Sequence, residues 1–232
     1  MPPVPIGDRQ KVDFNRKKQS YEIELSWYKS LHMIKQVRLP ALIDSHANGL
    51  IYAIEDLSQD SFTPVKQISL ELLKSILKAL ASFHATFLDI ENPFWKVGGY
   101  WSLDKRLFEW QSMPNQNLKN QAQSIDHQLN TAKYQTIIHG DFKLANILHD
   151  DKHNIAFVDF QYPGSGVGVK DLVTLFASIP DENYILHQEE LIDYYFNELR
   201  KHPKCSEELE QEWRSLYPVA WADYLRFLDG WI

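Results

Sequence analysis

The stretch from Tyr134 to Gln161, YQTIIHGDFKLANILHDDKHNIAFVDFQ, constrains the fold more than any other part of the chain. Two short β-branched runs, Thr136 to Ile138 and Ile155 to Val158, flank a polar loop and a third apolar piece, Ile147-Leu148. Such runs suit pleated strands, so the stretch reads as strands joined by exposed polar tips. The tips hold Asp141, Lys143, Asn146 and Asp159.

Around this centre the pattern is helical. SLELLKSILKALASFHATFL contains neither Pro nor Gly and spaces Leu73, Ile76, Leu77, Leu80 and Phe83 along one face, which predicts a helix. Tyr21, Leu25, Tyr28, Leu31 and His32 predict another, starting from Ser20 as N-cap. Residues 1–19, with three prolines and five basic residues, read as an extended entry segment. LPALIDSHANGLIYAIEDL predicts a hairpin turning at Asn48-Gly49, with its second strand running from Leu50 to Leu57. A Trp-rich connector and a polar helix fill 92–130, and the C-terminal run predicts a helix with Trp221, Leu225 and Leu228 on one face.

Hydrophobic residues at 44%, with seven Trp, eleven Tyr and twelve Phe, supply a globular core for one or two lobes. A net charge of −7 argues against a nucleic-acid footprint. The single Cys205, between Lys204 and Ser206, excludes an internal disulfide and reads as a surface thiol in a reducing compartment. No basic-then-apolar leader and no membrane-length apolar run is present, so the expectation is a cytoplasmic protein with no membrane partner.

Phosphoryl transfer asks little covalent help of a protein. It needs a carboxylate for the hydroxyl proton, a carboxylate and an amide for magnesium, and a cation near the moving phosphate. Asp141 fits the proton acceptor, Lys143 the cation, and Asn146 with Asp159 the metal ligands, since Mg²⁺ prefers hard oxygen donors. Asp141 and Asp159 as turn caps and Asn146 as a turn starter is the plainer reading of each residue alone. His139, Gly140, Asp141, Asn146 and Asp159 would coincide by chance in on the order of one such chain in ten thousand.

The order His139-Gly140-Asp141, Asn146, Asp159-Phe160-Gln161 resembles the kinase-like aminoglycoside, choline and ecdysteroid-kinase-like phosphotransferases. The run QYPGSGVGVKDLVTLF, a glycine-rich turn followed by Lys170-Asp171, is most similar to the ecdysteroid-kinase-like branch. The resemblance implies an α+β, protein-kinase-like two-lobed fold: a reduced N-terminal lobe (1–57) and a mainly helical C-terminal catalytic lobe (58–232). It further implies ATP and Mg²⁺ as cofactors and a small hydroxylated molecule as acceptor, and leaves oligomeric state open. His139 becomes a loop-bracing residue. The backbone of Glu55 and Leu57 becomes a hinge reading adenine, although IYAIEDL reads equally well as a plain edge strand. Glu24, rather than the solvated Glu22, takes the helix glutamate that pairs with a strand lysine.

That lysine is where the sequence departs from the pattern. No glycine-rich hairpin or Val-x-Lys strand precedes Glu24, and Lys11, Lys17 and Lys18 belong to no strand, so the expectation is an N-terminally truncated member. A catalytically impaired nucleotide-binding module is the alternative. A protein kinase is disfavoured by His-Gly-Asp and Asp-Phe-Gln, which replace His-Arg-Asp and Asp-Phe-Gly. Asp171 reads as an N-cap and loop anchor, and Asp223 as a solvated helical residue near a possible acceptor.

Overall fold

The computed structural model describes residues 8–30, 37–46, 51–180 and 182–231. In chain order the elements are α1 (Asp8–Lys29), β1 (Leu42–Ser45), β2 (Tyr52–Ile54), β3 (Thr63–Pro64), α2 (Leu70–Thr86), α3 (Leu107–Ser112) and α4 (Gln116–Asn130). They continue with β4 (Thr136–Ile138), β5 (Ile147–His149), β6 (Ile155–Phe157), β7 (Gly164–Gly166), α5 (Val169–Ala177), α6 (Gln188–Leu199) and α7 (Glu207–Trp231). Small antiparallel sheets sit among helices: β1 with β2, β3 with β5 and β6, and β4 with β7. This is the α+β, kinase-like arrangement with a helical C-terminal part. Among the described residues no helix is long and apolar enough to cross a membrane.

Helix α2 is the centre of the core. Ser69 caps it by accepting from Leu72 N at 3.1 Å. Its face of Leu73, Ile76, Leu77, Leu80 and Phe83 is almost fully buried, and each such side chain stabilises by about 1.5–3 kcal/mol. It packs against α6, while α4 and α5 pack on α7.

Several expectations are corrected. Helix α1 begins at Asp8, not at Ser20. No Gly or Pro interrupts Asp8–Lys29, and tertiary anchors hold the polar first half: Arg16 donates to Lys105 O at 3.1 Å, and Arg9 approaches Glu109 at 3.9 Å. Ser20 lies mid-helix, fully buried, its hydroxyl donating to Lys17 O at 2.8 Å. Leu31, His32 and the Asn48-Gly49 turn lie outside the described residues, although β1 and β2 pair antiparallel as a hairpin requires. The second strand stops at Ile54. Leu57 opens a 3-10 turn that Asp56 caps by accepting from Ser58 N at 3.0 Å.

The glycine run is a strand, not a loop: Gly164 to Gly166 pairs with Ile138 to Thr136, and the missing side chains leave room for Gly98 and Ile138. On α7, Leu225 and Leu228 face solvent, while Ala220, Asp223, Arg226 and Phe227 turn inward. Asp223 is therefore buried rather than solvated, with Arg226 at 2.8 Å and Lys170 at 3.7 Å to neutralise it. Cys205 is also buried, and that burial raises its thiol pKa to about 11.

Candidate active site

The loop between β4 and β5 carries Asp141, Lys143 and Asn146, and the turn after β6 carries Asp159. The loop folds back on itself: Lys143 N donates to Asp141 O at 2.9 Å, and Asn146 N to Lys143 O at 2.9 Å. This brings three of the predicted side chains into contact. Lys143 Nζ lies 2.7 Å from Asp141 Oδ2, and Asn146 Nδ2 reaches Asp141 O at 2.9 Å and Oδ2 at 3.3 Å. Burial opposes the charge on Lys143, but its ion pair with Asp141 outweighs this and raises its pKa.

His139 braces the loop. Asp141 N donates to its Nδ1 at 3.3 Å, so Nδ1 is an acceptor and Nε2–H donates to Val158 O at 3.0 Å. A neutral imidazole thus ties the loop to the strand before Asp159. Gly140 beside it has φ +81°, and a Cβ there would stand 2.1 Å from Tyr162 O.

Beneath the loop lies a residue whose position the sequence placed wrongly. Asp171 is not the N-cap of α5; Gly168 holds that place and Asp171 sits inside the first turn. Its fully buried carboxylate accepts from His139 N at 2.7 Å, Gly140 N at 3.0 Å and His84 Nε2 at 3.1 Å. The loop-anchor part of the expectation therefore holds, through the side chain rather than through a cap.

Asp159 sits at φ +65°, a left-handed conformation that costs a non-glycine residue roughly 1–2 kcal/mol. Its neighbours compel it. Phe160 is fully buried, stacked on Trp27 of α1 at 4.2 Å and packed on His139 at 4.4 Å. The Tyr28 hydroxyl hydrogen-bonds the Asp159 backbone. The turn is thus pinned between α1 and the loop that carries Asp141.

Glu24 is buried on the same face of α1, while Glu22 is exposed beside Lys18. Burial raises the Glu24 pKa, and hydrogen bonds from Tyr52 and Gln161 counter this in part. The Glu55 side chain turns to Arg38, 2.5 Å away, and Glu55 N donates to Ala41 O at 2.9 Å. The Leu57 carbonyl likewise is used within the fold, accepting from Phe62 N at 3.2 Å.

Sequence reasoning missed three participants. Gln161 links α1 to the Asp159 turn. Tyr100 and Tyr224 lie within electrostatic range of Lys143, and Tyr224 of Asp141 as well. The sequence separates them from the loop by tens of residues, and an exposed-looking aromatic carries no signal of its own. Arg106 stacks on Tyr100 at 3.8 Å and approaches Trp231 at 5.0 Å. Among the described residues no group of three or more His, Cys, Asp or Glu side chains forms a metal cage. One carboxylate and one amide oxygen do suit a hard cation that keeps its other ligands as water and phosphate oxygens.

Fold and loop together define a class, the kinase-like phosphotransferases. Within it, the chain belongs to the phosphotransferase enzyme family, whose model matches residues 11–212. No curated protein sequence matches the chain. Among solved structures, amicoumacin kinase hAmiN, in complex with AMP-PNP, Ca²⁺ and Ami, superposes with a TM-score of 0.64 at 15% identity over 94% of this chain and 71% of its own. A microcompartment-associated aminopropanol kinase gives 0.58 at 18% identity, covering 90% and 78%. The aminoglycoside phosphotransferase APH(3'')-Id from Streptomyces rimosus, in complex with ADP and streptomycin, gives 0.51 at 16% identity, covering 89% and 83%.

Proposed function

We propose that this protein is an ATP- and Mg²⁺-dependent kinase that phosphorylates a hydroxyl group of a small molecule in the cytoplasm. The observation that carries the reading is the convergence of Lys143 and Asn146 on one oxygen of Asp141, at 2.7 and 3.3 Å. Both contacts fall on Oδ2, so Oδ1 is left to receive the acceptor hydroxyl proton. Structural neighbours in complex with AMP-PNP or with ADP support the nucleotide assignment.

In this reading Asp141 orients the hydroxyl and takes its proton as the new oxygen–phosphorus bond forms. The bond from the γ-phosphorus to the bridging oxygen breaks, ADP leaves, and the proton passes from Asp141 to solvent. Lys143 faces the charge that gathers on the transferred group. Asn146 presents its amide oxygen, its Nδ2 being held by Asp141, and Asp159 presents its carboxylate; together they would hold the metal. Bound Mg²⁺ supplies neutralisation of phosphate charge. Glu55 O and Leu57 N read the adenine edge, and residues 1–57 form the smaller lobe over the C-terminal one. Tyr100 and Tyr224 shield the transfer from water on the acceptor side.

A second reading, nucleotide binding without turnover, is favoured by one observation: the hydrogen-bond partners of Glu24 are Tyr52 and Gln161, and Lys17 acts on it only through space. Calorimetry with MgATP, paired with ADP release over a panel of small alcohols, separates the two. Asp159→Ala is expected to abolish Mg²⁺-dependent binding. Asp141→Asn is expected to keep binding and cut transfer by roughly 10²–10⁴-fold. Wild-type binding with no transfer to any alcohol favours the second reading, and no MgATP binding at all overturns both.

A further inference from the structure

Three basic residues follow one another on α1, and each points elsewhere. Arg16 turns to Asp13 at 2.9 Å and Lys105 O at 3.1 Å, and Lys18 turns to Glu22 at 3.8 Å. Lys17 alone faces the Asp159 turn. Its Nζ lies 3.0 Å from Gln161 Oε1, two residues after Asp159, and Ser20 Oγ lies 3.4 Å from the same oxygen. The other end of that amide hydrogen-bonds Glu24, and the Lys17 ammonium rests 4.7 Å from the Tyr21 ring centre.

The arrangement leaves that ammonium without an ion pair, although the Glu24 carboxylate acts on it through space. Among the described residues no carboxylate lies within ion-pair distance of Lys17; its fixed partner is a neutral amide. Gln161 thus spans Glu24 and Lys17 and holds an exposed ammonium beside the turn that carries Asp159. A cation so placed attracts a polyanion.

Resting on the nucleotide reading above, we propose that Lys17, oriented by Gln161 and Glu24, contacts the polyphosphate of the bound nucleotide. The helix itself then contributes the phosphate-gripping ammonium. The charge, the amide strut and the carboxylate share one geometry, so the contact depends on Gln161 as well as on Lys17.

The experiment is calorimetry of the full chain with MgATP and, separately, with adenosine, which has no phosphates. Lys17→Met is expected to weaken MgATP about tenfold, the equivalent of ~1.4 kcal/mol, and to leave adenosine unchanged. Lys17→Arg should retain MgATP affinity within about threefold. Gln161→Leu should lose part of the affinity, while Lys18→Met, on the solvent face, should lose none. Lys17 is exposed, so circular dichroism of Lys17→Met should match that of wild type. If wild type binds MgATP and Asp159→Ala does not, yet Lys17→Met binds as wild type, the inference is wrong and the nucleotide reading stands. If Lys17→Met weakens adenosine and MgATP equally, its effect is not on phosphate and the inference is also wrong. If wild type binds no MgATP, both fall.

Discussion

The replacement Asp171→Asn tests the architecture under the catalytic loop with almost no change in volume. The carboxylate accepts three hydrogen bonds, from His139 N, Gly140 N and His84 Nε2, at 2.7, 3.0 and 3.1 Å, and is fully buried. An amide offers one oxygen and turns an NH₂ group toward at least one of these donors. One or two bonds to a charged acceptor are lost, at about 1.5–3 kcal/mol each. Relief of a buried charge offsets part of that, leaving a net loss of roughly 2–5 kcal/mol. Against a usual total of about 5–15 kcal/mol, this is a large fraction. With a urea slope of about 2–3 kcal/mol per molar, the midpoint should fall by roughly 1–2 M, read by the fluorescence of the seven Trp. Hydrogen exchange locates the damage: the His139 and Gly140 amides should lose protection before the core of α2 does. A midpoint within the error of wild type, with both amides still protected, would refute the clamp.

Two further outcomes follow from the same geometry. Gly140→Ala should cost about 1–3 kcal/mol for the left-handed backbone alone, with further loss from a Cβ 2.1 Å from Tyr162 O, and should abolish transfer; an active, fully stable variant would contradict the loop geometry. Burial raises the Glu24 pKa above its ordinary 4.5, so the native state holds that proton more tightly than the unfolded state. The stability this proton confers is therefore complete below pH 4.5 and lost as pH rises through the folded value. Glu24→Gln should accordingly raise Tm at pH 7 and lose that advantage below about pH 4.5, while weakening MgATP binding; a lower Tm at pH 7 would count against it.

What the sequence revealed depended on how local each signal was. The β4 bounds, the α2 face and the grouping of Asp141, Lys143 and Asn146 come from neighbours within a few residues, where spacing fixes geometry. The first half of α1 was illegible because its helix is held by Arg9 and Arg16 on a connector some ninety residues away, not by an apolar period of its own. Asp223 looked solvated because a charged residue on a helix usually is, and Arg226 beside it was not singled out. They are buried because Lys170 and each other supply the missing counter-charges. The Gly164 strand read as a loop because glycine has low strand propensity, whereas here close backbone approach selects it. Gln161 was the least visible of all, since nothing about a glutamine after Asp-Phe tells a reader that a helix residue waits across the cleft.

Helix α1 is a rod of 22 residues, ~33 Å long at about 1.5 Å per residue. One stretch of it grips the turn that bears Asp159, through Lys17, Glu24 and Trp27. Another stretch grips the connector next to Tyr100, through Arg9 and Arg16. A single stiff part thus joins the Asp159 turn to the connector beside Tyr100. A displacement of the rod at one grip is therefore carried to the other, because no Gly or Pro interrupts the helix between them.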